Sequence, residues 1–258
     1  MNRRPLILVC NDDGVHAPGL QYLTEVAHRL GEVVVVAPDS PQSGMGHAVT
    51  INDTLRVADM SRQKGYPMYS CSGTPVDCVK LAMNKLLPRR PDLVVSGINH
   101  GSNSSVNVIY SGTMSAAIEG AIAGITSLGF SLCDHSYDAD FGPSLPWVEK
   151  LMALALYEAP VKGMCLNVNF PKGPVKGYRF VRQARAYWAE EMDERTDPRG
   201  GKYFWLTGVF EVPDTGRDTD EYVLSQGYAS VVPVTFDLTD YAVLEKLRQM
   251  AHAAAEKE

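Results

Sequence analysis

The sequence predicts an α/β chain built on a doubly wound, mostly parallel sheet with a β-rich C-terminal extension, and three observations carry that reading. Short strand-forming runs, Leu6 to Cys10, Val33 to Val36 and Asp92 to Ser96, read as strands buried on both faces, as parallel strands are. Segments of helical periodicity alternate with them, the pattern of a sheet covered by helices on both sides. Near Tyr178 the alternation stops, and 12 of the 22 aromatic residues fall between Tyr178 and Tyr241.

Leu6 to Cys10, apolar throughout, reads as a central strand. After the polar loop from Asn11 to Gly19, apolar residues recur at helical spacing from Leu20 to Leu30 and stop at Gly31. Val33 to Val36 completes a β-α-β unit. Pro38 to about Gly65 is irregular, with Thr50 to Val57 expected to pair as a short hairpin. Tyr66 to Ser70 reads as a strand, Pro75 to Leu86 as a helix with proline in its first turn, and Asp92 to Ser96 as the next buried strand. The small residues from Ser115 to Ala123 suit a helix, Thr126 to Ser131 a strand, Leu145 to Leu156 a helix and Met164 to Val168 a strand. Beyond them, turn signals separate strand-like pieces such as Tyr203 to Leu206, and a last helix spans about Tyr241 to Glu256. The expected division is a catalytic domain over 1–175, a β-rich oligomerisation arm over 176–240 and a C-terminal helix over 241–258 packing on the assembly. An aromatic arm projecting from a compact sheet exposes more apolar surface than a monomer tolerates, which favours an oligomer interface over an intramolecular subdomain.

Composition narrows the function. The 258 residues carry 24 Lys and Arg against 30 Asp and Glu, a net charge of −6, with 45% hydrophobic and 21% charged residues. That balance excludes a disordered chain. No apolar run approaches the roughly 18 residues of a membrane span, and an acidic chain is a poor partner for a nucleic-acid polymer. The five cysteines are scattered without a Cys-x-x-Cys pair, as reduced, mostly buried thiols are. The apolar run after the N-terminal arginines ends at Asn11, too short for a signal peptide, so a cytoplasmic location is expected.

In an open parallel sheet the ligand lies outside the carboxyl ends of the strands. Three unusual loops follow strands: Asn11-Asp12-Asp13-Gly14, Pro38 to His47, and Ser96 to Asn103. Adjacent carboxylates at the end of a buried strand repel each other and lose solvation, a cost that a bound cation removes. Oxygen-only ligands suit Mg²⁺ or Mn²⁺ better than zinc; the plain alternative is a turn. The second loop has Gly44 and Gly46 but no third glycine at dinucleotide spacing and opens no helix, which speaks against a nicotinamide enzyme. It does offer the Ser43 hydroxyl. Tyr110-Ser111-Gly112-Thr113 precedes the small-residue helix, where free N–H groups, the helix dipole and two hydroxyls form an anion cradle, or the Ser or Thr is an ordinary N-cap. His16, His47 and His100 lie in loops on this edge, as solvated residues or as groups that position water or substrate. No nucleophile elbow, P-loop or aspartyl-phosphate motif is present. A metal and an anion cradle without a protein nucleophile point to metal-activated water attacking phosphorus.

Taken in order, these segments resemble a known family. Asn11-Asp12-Asp13-Gly14 with Ala17-Pro18-Gly19, Gln42-Ser43-Gly44, Cys71-Ser72-Gly73-Thr74-Pro75 with Asp77 and Cys78, Ser96-Gly97-Ile98-Asn99 with Gly101 and Asn103, Tyr110 to Thr113 with Ala116, Glu119 and Gly120, and Asn167 with Asn169 and Pro171 resemble the SurE survival proteins, metal-dependent 5′-nucleotidases. The resemblance spans residues 5 to 171 and is looser beyond Tyr178. It implies a Rossmann-like domain whose C-terminal extension swaps between subunits, giving a homodimer or homotetramer. It implies one divalent metal ion, Mg²⁺ or Mn²⁺, on Asp12, Asp13, Ser43 and Asn99, and a phosphate held by Asn103, Ser111, Gly112 and Thr113. The implied substrates are nucleoside 5′-monophosphates, with 3′ esters and polyphosphate in some members, and either Asp12 or Asp13 orients the attacking water. A non-catalytic nucleotide-binding regulatory module is the alternative.

Overall fold

β1 (Leu6–Cys10), fully buried, lies in the middle of a nine-stranded sheet. The computed structural model describes residues 3–62, 64–136, 138–158 and 161–255. Around β1 the elements run in chain order as α1 (Pro18–Leu30), β2 (Glu32–Pro38), β3 (Val57–Asp59), β4 (Met68–Cys71), α2 (Pro75–Leu81), β5 (Leu93–His100), α3 (Gly112–Ile122), β6 (Ser127–Leu132), α4 (Leu145–Ala153) and β7 (Cys165–Phe170). The extension supplies β8 (Tyr178–Phe180), β9 (Tyr187–Ala189), β10 (Met192–Thr196), β11 (Lys202–Leu206), β12 (Val209–Glu211), α5 (Asp220–Ser225), β13 (Ala229–Val234) and α6 (Tyr241–Ala255).

The six strands β4-β2-β1-β5-β6-β7 are parallel, and renumbered in chain order they read 3-2-1-4-5-6, the doubly wound arrangement whose order reverses between β1 and β5. α1 and α4 pack together on one face and α2 and α3 on the other. Burial follows sequence period: Leu20, Leu23, Val26 and Ala27 form the inner stripe of α1. Each fully buried aliphatic side chain in this core contributes about 1.5–3 kcal/mol. Gly19 lets α1 touch the sheet, because a Cβ there would sit 1.9 Å from the Ile98 carbonyl oxygen. That contact fixes the end of β5, from which Asn99 projects.

Several elements depart from expectation. β5 continues to His100 with its register to β6 shifting between Ser96 and Asn99, so part of the expected loop is strand. No strand forms over 50–56, because its polar groups bond elsewhere: the Thr50 N–H and hydroxyl both donate to Asp77 and the Thr54 N–H to Asp53. Just beyond it, β3 pairs antiparallel to β4. The helix from Pro75 carries a reciprocal Thr74–Asp77 cap and ends in a wider π turn, Ala82–Leu86. The end of the last helix expected at Glu256 lies outside the described residues.

The extension rejoins the sheet in part. β13 pairs antiparallel with β7 and parallel with β8, while β9–β12 and β10–β11 form two small antiparallel sheets. Buried Asp220 ties this region to the catalytic edge, its carboxylate accepting from the N–H groups of Ser105 and Ala184, both 2.8 Å.

Candidate functional site

At the reversal of strand order the ends of β1 and β5 meet the Ser43 loop and the start of α3. A cleft of about 620 Å³ opens there, lined by Asp12, Ser43, Asn99, Asn103 and Ser111 among others. The Ser43 loop is pinned by backbone bonds, the Gln42 N–H donating to the Asp12 carbonyl at 2.7 Å and the Gly46 N–H to the Tyr110 carbonyl at 3.1 Å. Ser43 itself is exposed to the cleft.

Asp12 is almost wholly buried. Burial pushes its carboxyl up to about 6, with the charge of Asp13 adding to the rise and a hydrogen bond from Thr113 opposing it. Asp13 is also raised, mainly by burial, against the His100 N–H that donates to it at 3.3 Å and the His100 ring nitrogen at 3.8 Å. Among the described residues neither carboxylate has a Lys or Arg within ion-pair distance. Two neighbouring carboxylates held this way are an incomplete electrostatic arrangement. The rest of the donor set is oxygen: the Asn99 amide N–H donates to the Gly101 carbonyl at 2.9 Å, its oxygen has no hydrogen-bond partner among the described residues, and Ser43 adds a hydroxyl. The described residues hold no cluster of three or more His, Cys, Asp and Glu, so a cation here draws on two carboxylates with neutral oxygens, which suits Mg²⁺ or Mn²⁺.

α3 begins at Gly112, earlier than the expected Ser115, and this changes the part played by its first turn. The Ser111 oxygen caps the helix by accepting from the Met114 N–H at 2.9 Å, which leaves its O–H as a donor. The Thr113 hydroxyl donates to Asp12, so this side chain, expected from sequence at the phosphate, also positions a carboxylate. Gly112 is required by proximity: a Cβ there would stand 2.7 Å from the Asp12 Cβ. The positive end of α3 therefore faces Asp12 as well as the cleft. Asn103 is held by a buried network, its N–H donating to Asn169 and its amide to the Ser131 hydroxyl, both at 2.8 Å, while Asn167 donates to its carbonyl at 2.8 Å.

The histidines divide. His16 is exposed, whereas His47 lies 3.2 Å from Glu119 and His100 stands edge-on to Phe141. Sequence reasoning missed the groups that the extension brings to the cleft: Trp188, Phe210 and Glu221 line its far wall, and Glu221, raised by burial, accepts from the Ser104 hydroxyl. Only the clustering of aromatics after Tyr178 pointed towards them.

A family model described as Survival protein SurE matches residues 7–190. The protein named 5′-nucleotidase SurE of Cytophaga hutchinsonii is 56% identical over 250 residues, covering 95% of this chain and 96% of that one. Its counterpart in Flavobacterium johnsoniae is 55% identical with the same coverage. The crystal structure of the SurE protein from Aquifex aeolicus superposes with a TM-score of 0.82 at 34% identity, covering 96% of this chain and all of that one. The doubly wound sheet, the paired carboxylates at its switch point and these matches together show that the chain belongs to the SurE family.

Proposed function

We propose that this 5′-nucleotidase of the SurE family hydrolyses nucleoside 5′-monophosphates with the help of one divalent cation, Mg²⁺ or Mn²⁺, held by Asp12, Asp13, Ser43 and Asn99. The observation that carries the reading is the pairing of buried Asp12 with half-buried Asp13 at the strand-order reversal, with no Lys or Arg at ion-pair distance among the described residues. A cation bound there supplies positive charge to the phosphoryl oxygens and acidifies a water molecule. The protein's part is to place groups. Thr113 and the start of α3 fix Asp12, and His100 fixes Asp13. Either carboxylate accepts the proton of the attacking water. The Ser111 hydroxyl, the Gly112 N–H and the remaining amide N–H of Asn103 point their charge at the phosphate, where donors fixed in advance stabilise the transition state. The same donors suit 3′ esters and the terminal group of short polyphosphate.

The protein acts as a homodimer or homotetramer joined through its extension. Trp205 and Leu206 on β11 are 61% and 72% exposed, more apolar surface than one strand pair keeps in water. Four buried thiols among five free cysteines suit the reducing cytoplasm, and no described helix is long and apolar enough to cross a membrane. The test is phosphate release from AMP by the purified protein with Mn²⁺ and with a chelator. Release that needs the metal supports the reading; AMP binding without release under both conditions replaces it with a non-catalytic nucleotide-binding module.

A further inference from the structure

We infer that Trp188 and Phe210 form a stacking platform for the nucleobase, so that the extension sets how strongly this enzyme prefers nucleotides over other phosphate esters. The inference rests on the nucleotidase reading above and adds the residues that recognise the nucleoside. Trp188 on β9 and Phe210 on β12 are directly paired across the ladder, with ring centroids 5.2 Å apart. Alternation along the strands puts both on one face, and both line the cleft that holds Asp12 and Ser111. Their neighbours Tyr187 and Glu211 pair with each other through a 2.6 Å hydrogen bond.

The indole is fixed in place. Its N–H donates to Asn107 Oδ1 at 2.8 Å, and Asn107 sits four residues before Ser111, on the short 3₁₀ turn leading into the phosphate-facing start of α3. The platform is thus hydrogen-bonded to the segment that leads into the phosphate donors. Yet Trp188 remains 38% exposed, although a ring that serves only packing gains most when covered. An aromatic face open to a cleft already built for phosphate fits a planar base. Stacking also tolerates any base, because every base has a π-face, and favours the larger ring system of purines.

The decisive experiment compares kcat/KM for AMP with that for ribose 5-phosphate, which keeps the ester and sugar but lacks the base. Base stacking on one aromatic side chain corresponds to about 5- to 150-fold in binding. The wild-type enzyme is expected to favour AMP by a factor in that range, and Trp188→Ala to lose most of it. Trp188→Phe is expected to retain it. Trp188→Leu, which keeps apolar packing against Phe210 but has no π-face, is expected to lose it, separating stacking from a collapsed hairpin. An AMP to ribose 5-phosphate ratio unchanged in Trp188→Leu overturns the platform and leaves the pair as a cross-strand contact. Should the wild-type protein hydrolyse neither ester, the nucleotidase reading falls. Equilibrium binding of AMP and ribose 5-phosphate to the same variants then decides the platform by the same ratio.

Discussion

Asp12→Asn should make the metal-free protein more stable while destroying its activity. Asp12 is 4% exposed, and its carboxyl is raised from the ordinary 3.8 to about 6. At 1.36 kcal/mol per pH unit this corresponds to about 3 kcal/mol lost in ionising the buried group. The sign follows from linkage. A carboxyl raised in the folded state holds its proton there after the unfolded chain has lost it, so its destabilising effect is absent below about pH 4. The effect grows between about pH 4 and 6 and is constant above. Asparagine keeps the shape and still accepts from Thr113, but it cannot ionise. At pH 8 without metal, Asp12→Asn should therefore melt several degrees above the wild type, since about 1 kcal/mol moves Tm by 2–4 °C in a chain of this size. The gain should vanish near pH 4. Added Mn²⁺ should raise the wild-type Tm and leave the variant's nearly unchanged. Differential scanning calorimetry at pH 4 and 8, with and without Mn²⁺, reads all of this. A variant no more stable than wild type at pH 8, or a gain that persists at pH 4, refutes the account of Asp12 as a buried, metal-seeking carboxylate.

Three further outcomes follow from the geometry. Gly112→Ala drives a methyl group into Asp12; the overpacking should cost about 1–3 kcal/mol and weaken Mn²⁺ binding, measured by titration calorimetry, while circular dichroism stays native. Asp77→Ala removes the carboxylate half of the reciprocal Thr74–Asp77 cap of α2 and the anchor of Thr50, costing about 0.5–2 kcal/mol. Because hydrogen bonds hold the Asp77 carboxyl below its ordinary range, its stabilisation is complete above about pH 4 and lost as pH falls through the folded value, so the wild-type advantage over the variant should shrink in acid melts. Trp205→Asp with Leu206→Asp should reduce the mass seen by light scattering in solution, and an unchanged mass would remove the extension hairpin from the assembly contact.

Much of the fold was legible because buried parallel strands and one-sided helices leave strong periodic signals. Leu6–Cys10 and the stripe of α1 fall where their patterns put them, and the carboxylate pair was found as an electrostatic anomaly on a predicted strand end. What the sequence hid was governed by bonds between distant residues. The hairpin expected from Thr50 to Val57 gives way because Asp77 takes the Thr50 donors. Thr113 turns to Asp12 because α3 begins one turn earlier than its small-residue run suggested. Trp188 reaches the cleft through contacts distant in sequence, its indole N–H held by Asn107 and the extension tied to Ser105 by Asp220, links that have no local signature.

Anomalous diffraction from Mn²⁺-soaked crystals decides whether the switch-point carboxylates hold the cation that activates hydrolysis. One strong peak is expected within coordination distance of Asp12, Asp13, Ser43 and Asn99, absent from crystals of Asp12→Asn. Full Mn²⁺-dependent phosphate release by a protein whose only Mn²⁺ peak lies elsewhere would contradict this assignment.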